Sequence, residues 1–196
     1  YQRMLTYTLN KIVKTLEIAV FLSVGVMLTR VFVITPLLVV LLLFTNDFVT
    51  MSIATDRVSY SPRPDRWDIR TLMLIAAPLA ALMLLLLFAV FFFGRDALHL
   101  ALPQLQTLVF LTLVFTGQGN VYLVRERHRL WHSRPSRWLF LASGADVIAV
   151  SVMANFGILM APIAWRITGC LGVVVVAYLV IIDALKVRVF RHFAVA

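Results

Sequence analysis

An acidic residue lies in the middle of a long apolar segment. Asp47, with Asn46 beside it, occurs in PLLVVLLLFTNDFVTMSIAT, and eleven residues from Pro36 at about 1.5 Å each place it roughly 17 Å along a membrane-spanning helix. A carboxylate at that depth costs about 2.5 to 3.5 kcal/mol on insertion, so it usually marks an ion or proton pathway facing the bundle interior. We predict that Asp47 and Asn46 bind a transported ion. The alternative is a structural hydrogen bond to a neighbouring helix.

Two threonines flank this pair. Thr45 and Thr50 lie within two helical turns of Asn46 and Asp47, and polar side chains of this kind can satisfy a locally unwound backbone inside a membrane. These side chains would suit a locally unwound helix as well as a continuous one.

A second acidic residue, Glu17, stands near the cytoplasmic end of the first apolar run and is followed by IAVFLSVGVML. The first two runs form an antiparallel hairpin, so Glu17 and Asp47 would lie at overlapping depths. If they approached, repulsion between the carboxylates would favour retention of a proton by one of them. The alternative is an ion pair with Lys14 one turn back. The sequence favours neither.

Asp146, in SGAD, lies several residues into the fifth apolar run. It is a candidate second ion ligand or a partner for a neighbouring helix, and the sequence leaves both open. Gln118, Asn120 and Tyr122 lie on the fourth run. The small residues beside them favour helix packing over the lining of a cavity.

The sequence gives little support for a metal site or for catalytic residues. Cys170 is the single cysteine, and His128 and His132 stand in a basic segment without neighbouring carboxylates, so we expect no metal site. No phosphate-binding loop, nucleophile elbow or zinc-protease motif occurs, so no catalytic residue is predicted.

The elements that must position these residues are transmembrane helices. The chain is 62% hydrophobic with a mean hydropathy of +0.95, well above ordinary soluble domains. Six apolar runs recur along it, at about 12–33, 36–55, 71–93, 104–124, 138–160 and 163–185. The prediction is an all-α bundle of six transmembrane helices forming a single membrane domain over residues 1–196.

Orientation follows from the positive-inside rule. With the N-terminus in the cytoplasm, every one of the 18 lysines and arginines except Arg30, Arg95 and Arg166 falls on the cytoplasmic side. Both termini are therefore predicted to be cytoplasmic. The net charge of +9 sits in short gaps between apolar runs, which indicates membrane orientation in a lipid bilayer and not nucleic-acid binding. All four tryptophans stand at predicted span ends or in adjoining loops, as an interfacial belt requires.

The residues quoted so far also resemble a known family. QRM through YTL and then LLLFTNDFVTMSIATDRVSYSPRPDRWDIR resemble the fifth and sixth transmembrane helices and the following loop of plasma-membrane proton-pumping P-type ATPases. The match consists of an Asn-Asp pair, an Asp-Arg-Val, a Pro-x-Pro and a tryptophan, here Asn46, Asp47, Asp56, Arg57, Val58, Pro62, Pro64 and Trp67. Arg134 with Pro135, and Asp183 with Lys186, continue the resemblance to the last helix.

The resemblance implies a function. Asp47 would bind and release a transported proton across the plasma membrane, and the chain would be a fragment lacking the N-terminal half of the pump, because it begins at Tyr1. ATP and Mg²⁺ would act in that missing half, with neither bound by this fragment. One departure stands out: Glu17 occupies a position where plant and fungal pumps carry a built-in arginine, which reverses the local charge.

Two rival functions remain. The first is a pump for a metal or alkali cation, with Asp47, Asn46, Glu17 or Asp146 as oxygen ligands. The second is a stand-alone six-span membrane protein without ATPase activity.

Overall fold

Six helices make up almost all of the part of the chain that the structure, a computed structural model, describes: residues 2–53, 69–125 and 136–192. In chain order they are α1 Gln2–Thr29, α2 Pro36–Ile53, α3 Ile69–Phe92, α4 Leu102–Arg125, α5 Arg137–Phe156 and α6 Trp165–His192. A π-helical turn, Phe93–Ala97, extends α3. The described ranges contain no strand, and the predicted all-α bundle is confirmed.

The helices have the length and the apolar outer surface that a bilayer requires. Five of them are long and apolar enough to cross a membrane, and the apolar part of α2, Pro36–Ser52, is shorter. Large apolar side chains cover the outside of the bundle, including Val40, Phe44, Phe48, Ile148 and Val173. Because water would not tolerate such a surface, the chain is a multi-pass integral membrane protein.

Helix α4 is the centre of the bundle. It contacts each of the other five helices, and 83% of its most apolar window is buried, against 41% or less for the other four spans. Its buried polar residues, among them Thr112, Thr116 and Asn120, are therefore surrounded by protein. Any polar group that another helix points inward meets α4 first.

The first predicted span ended at residue 33, but α1 ends at Thr29. Arg30 adopts a left-handed backbone conformation with φ of 57°, which stops the helix although the following residues are apolar. The Gln106 amide of α4 donates to the Phe32 carbonyl at 2.7 Å and holds this turn in place. The hydroxyl of Thr35 accepts from the Leu38 amide at 3.3 Å and caps α2.

The fifth predicted span ended at residue 160, but α5 ends at Phe156. Gly157, with φ of 72°, supplies the left-handed C-cap, and the Ile158 amide bonds back to the Met153 carbonyl at 2.8 Å. The predicted span was too long because the residues after Gly157 are apolar, and a C-cap does not lower hydropathy.

Two tryptophans test the predicted interfacial belt. Trp138 is the second residue of α5 and Trp165 the first of α6, and both are exposed, at 70% and 58%. Their positions at helix ends agree with the belt. Trp67 and Trp131 lie outside the described residues.

The contact of α4 with α6 depends on a glycine. A Cβ at Gly119 would lie 2.1 Å from Cδ1 of Leu179, whereas a Cβ at Gly172 of α6 would meet nothing closer than 3.9 Å. Leu179 borders the open space among α4, α5 and α6 and can rotate its side chain, so we expect Gly119→Ala to destabilise the chain by about 1 kcal/mol through overpacking. Gly172→Ala, the matched control, should be neutral or stabilising because alanine favours helix over glycine.

Reversible unfolding in detergent measures both changes. Adding Leu179→Ala to Gly119→Ala should recover part of the loss. Equal effects of the two alanine substitutions would contradict the close helix approach.

Candidate ion pathway

Asp47 lies in α2, twelfth of its eighteen residues, with the backbone helical on both sides. The helix is continuous here, and the neighbouring threonines bond to carbonyls within it. Thr45 Oγ1 lies 3.1 Å from the Leu42 carbonyl, and Thr50 Oγ1 lies 3.0 Å from the carbonyls of both Asn46 and Asp47. These side chains stabilise a continuous helix.

The Asp47 carboxylate forms an ion pair with Lys11 of α1. The Lys11 ammonium donates to Oδ1 of Asp47. The two side chains are 57% and 32% exposed, with Asp47 the more exposed. Asp47 is therefore covered by α1 on one side and open on the other, next to Phe44 and Phe48, which are also exposed. Enclosure by the six helices, expected from the sequence, is not observed among the described residues.

Glu17 lies in a second, fully buried cluster. Its Oε2 is 3.0 Å from Lys14 Nζ, and its Oε1 is 3.1 Å from the hydroxyl of Thr116 on α4. The exposed fractions are 1% for Glu17, 3% for Lys14 and 0% for Thr116. We refer to these three residues as the α1–α4 charge cluster. Of the two alternatives for Glu17, the structure forms the pair with Lys14.

Lys14 also binds backbone. Its ammonium donates to the Leu113 carbonyl of α4 and lies 3.4 Å from Thr116 Oγ1. A Cβ at Gly117 would lie 3.2 Å from Cε and Nζ of Lys14, so glycine leaves room for the lysine against α4. The ammonium therefore has a carboxylate, a carbonyl and a hydroxyl as acceptors, which compensate for its removal from water.

The cluster continues toward the N-terminus of α1 as a polar stripe. Asn10, one turn before Lys14, accepts from the amide of Asn120 at 2.7 Å, and both asparagines are buried. Asn10, Lys14 and Glu17 follow the spacing of one helical face. That face packs on α4, whereas Lys11 lies on a different face and reaches α2.

Asp146 bonds to a neighbouring helix. Its Oδ2 accepts from the Gln118 amide of α4. One turn away, the Ser143 hydroxyl lies 2.5 Å from the Tyr122 hydroxyl. Gln118, Asn120 and Tyr122 all bridge to other helices, as the packing interpretation predicted, and Gln118 and Tyr122 also line a cavity.

The four candidate residues therefore do not form one site. Asp47 is held by Lys11, Glu17 by Lys14 and Thr116, and Asp146 by Gln118, while the Asn46 side chain is half-buried. Across residues 2–53, 69–125 and 136–192, no three His, Cys, Asp or Glu side chains gather as metal ligands would.

The sequence did not indicate that Lys11 pairs with Asp47 or that Lys14 is buried, although the pair of Lys14 with Glu17 was one of the two alternatives. Both were assigned to the cytoplasmic surface because they precede the most apolar part of α1. The available signal was spacing: Asn10, Lys14 and Glu17 fall on one face, and a lysine on that face must be paired if the face is buried.

These features define a class: a multi-pass membrane bundle with ionised side chains inside its helical layer. Comparison with known proteins is consistent with that class. The chain is 30% identical over 98% of its length to a cation-transporting ATPase of Methanocaldococcus jannaschii. It is 25% identical over 79% of its length to the plasma membrane ATPase of Kluyveromyces lactis, and 24% identical over 80% to plasma membrane ATPase 1 of Saccharomyces cerevisiae.

The chain spans about a quarter of the length of the archaeal relative (24%) and about a sixth of each yeast relative (17%). No protein-family model matches it. Its relatives are thus P-type cation-transporting ATPases, at low identity for the plasma-membrane members. Several residues of the resemblance, from Asp56 to Trp67 and at Arg134 and Pro135, lie outside the described residues.

The α1–α4 charge cluster makes a stability prediction. Lys14→Met or Glu17→Leu alone leaves an uncompensated buried charge, and we expect each to cost about 3 to 5 kcal/mol in unfolding free energy. The double variant Lys14→Met/Glu17→Leu removes both charges and should be neutral or stabilising. Unfolding in detergent measures all three.

Arg95→Met serves as the control, because its pair with Asp96 in the turn after α3 is exposed and should cost far less. If the double variant lost as much stability as the sum of the single variants, packing and not charge pairing would explain the cluster.

Proposed function

We propose that this chain forms the cation pathway of an ATP-driven pump and that the transported ion is a proton. The observation that carries the proposal is the ion pair between Asp47 on α2 and Lys11 on α1, within the apolar helices. A carboxylate in a membrane-spanning helix is costly unless it has a function or a partner. Here the partner is the Lys11 ammonium, which a proton can displace from the carboxylate.

The two residues would work by exchange. When a proton binds a carboxylate oxygen of Asp47, the carboxyl becomes neutral and the Lys11 ammonium loses its partner. When helices move and the proton leaves, the carboxylate is ionised and Lys11 pairs with it again. That pair stabilises the ionised form and opposes return of the proton.

The open side of Asp47 supports a larger assembly. The carboxylate is covered by α1 but is more than half exposed elsewhere, and its neighbours on that face are apolar and exposed. In our proposal, further helices of the same pump cover this face. The phosphorylation and nucleotide sites, with ATP and Mg²⁺, lie in that other part, and the pump resides in the plasma membrane.

The α1–α4 charge cluster has a separate role in this proposal. Glu17 is neutralised by Lys14 and held by Thr116, so it binds no transported ion. The negative charge that Glu17 introduces into α1 is thereby compensated one turn away. Lys11, on another face, supplies the positive charge next to Asp47.

A second candidate is a pump for another cation. The archaeal relative, which has the higher identity, is named only as cation-transporting. Against a metal or alkali ion stands the separation of the acidic residues, since such ions prefer several oxygen ligands together. At fixed pH and saturating Mg²⁺, ATPase activity stimulated by Na⁺ or K⁺ would favour this candidate, and activity that depends on pH alone would favour the proton.

The first functional prediction concerns Asp47. In a complete pump carrying this chain, Asp47→Asn should abolish ion transport, because asparagine cannot exchange a proton. Proton flux into sealed vesicles, measured with a pH-sensitive dye, reports the loss. Glu17→Gln combined with Lys14→Met is the matched control: it removes a carboxylate and its lysine and should leave flux in the folded fraction.

The second concerns Lys11. Lys11→Gln should retain proton binding but impair release, so that flux falls further than the amount of folded protein does. Lys11→Arg keeps the charge and should restore flux. Equal flux in the glutamine and arginine variants would contradict a role for the positive charge.

A further inference from the structure

A cavity of about 730 Å³ lies among α4, α5 and α6, and the proposed ion pathway makes no use of it. It arises because α5 and α6 both pack against α4 and have little contact with one another. Its volume falls within the range of small-molecule sites in proteins.

The walls are apolar and the space is kept open by glycine. Phe115, Phe140, Val147, Val176 and Leu179 line it. Gly144 of α5 and Gly169 of α6 also line it, and a Cβ at either would meet no atom within 4 Å. Two glycines on facing helices thus leave room that a side chain would occupy.

The cavity is long. Its α6 lining runs from Trp165 to Leu179, fourteen residues or about 21 Å along the helix. That is more than half the roughly 30 Å thickness of the hydrocarbon core. An extended apolar chain fits this shape better than a compact polar metabolite.

One end of the cavity is cationic. Arg125, the last residue of α4, lines it and is only 6% exposed. The guanidinium takes part in an interaction within the chain, and its five N–H donors allow it to bind more than one acceptor. Arg137, at the start of α5, adds an exposed positive charge at the same membrane face. By the positive-inside rule this face is cytoplasmic.

A buried amide marks one polar point on the cavity wall, which a water would satisfy and an acyl chain would not. Gln118 lines the cavity, is 6% exposed, and donates to Asp146. Its Oε1 has no hydrogen-bond partner among the described residues. A buried acceptor left in this way calls for a donor or a water at the wall of the cavity.

We propose that the cavity binds one acyl chain of an anionic phospholipid from the cytoplasmic leaflet. The chain lies against Gly144 and Gly169, and the phosphate lies at Arg125. Cationic pockets between transmembrane helices at the cytoplasmic side suit anionic head groups, and arginine suits phosphate. The bound chain fills the gap between α5 and α6 and holds the two helices together.

The test titrates phosphatidylglycerol into the full chain in neutral detergent, with phosphatidylcholine of the same acyl composition as the reference. Thermal unfolding and native mass spectrometry are the readouts. We expect phosphatidylglycerol to raise the unfolding midpoint by several degrees more than phosphatidylcholine does, with one lipid retained per chain.

Gly144→Leu/Gly169→Leu fills the cavity and should bind phosphatidylglycerol about tenfold more weakly. The matched control, Ala77→Leu/Ala81→Leu, adds the same two side chains to the exposed face of α3 and should bind as the parent does. Arg125→Gln should abolish the preference for the anionic lipid. If Arg125→Gln does not fold, Gly144→Leu/Gly169→Leu alone tests the proposal.

Three results would overturn the proposal. Equal stabilisation by the two lipids would show no head-group site. Phosphatidylglycerol binding unchanged in the cavity-filled variant would show adventitious surface binding only. A parent chain that is dimeric without lipid, and monomeric when the cavity is filled, would assign the cavity to a helix of a second copy.

Discussion

An ionised side chain inside a membrane bundle must be paired, and this requirement organises the whole molecule. Helix α1 carries two lysines one turn apart, and each has its own carboxylate. Lys14 turns inward to Glu17 and the central helix α4, while Lys11 turns to Asp47 of α2. The same short segment thus joins α1 to α2 through the Lys11–Asp47 ion pair. It joins α1 to α4 through the hydrogen bonds of Lys14 to the Leu113 carbonyl and of Thr116 to Glu17.

The two ion pairs differ in burial, and we assign a structural role to the buried pair and a transport role to the exposed one. The α1–α4 charge cluster is buried. The Lys14 ammonium donates to Glu17 and to the Leu113 carbonyl, and the Thr116 hydroxyl donates to Glu17, so the two charges stay paired inside the protein. The Lys11–Asp47 pair is partly open, and in the proposed exchange a proton reaches the carboxylate from this side. Lys14 pairs with Glu17, so the positive charge of Lys11 remains next to Asp47.

The sequence predicted the fold well because hydropathy and the asymmetry of basic residues are strong, local signals. It placed six helices and singled out Asp47. It failed where a single residue ends a helix, at Arg30 and Gly157, because hydropathy does not respond to backbone conformation. It offered the pair of Lys14 with Glu17 only as an alternative and did not indicate the pair of Lys11 with Asp47. The burial of Lys14 depends on which face of α1 packs against α4 and on a glycine, Gly117, distant in the chain.

The central claim is that Asp47, and not Glu17, exchanges the transported proton. Infrared difference spectra of a complete pump, recorded between its ion-bound and ion-released states, follow the C=O band of a protonated carboxyl directly. The account predicts a band that disappears in Asp47→Asn and persists when Lys14→Met and Glu17→Leu are combined. A band that persists in Asp47→Asn and disappears in the double variant would contradict it.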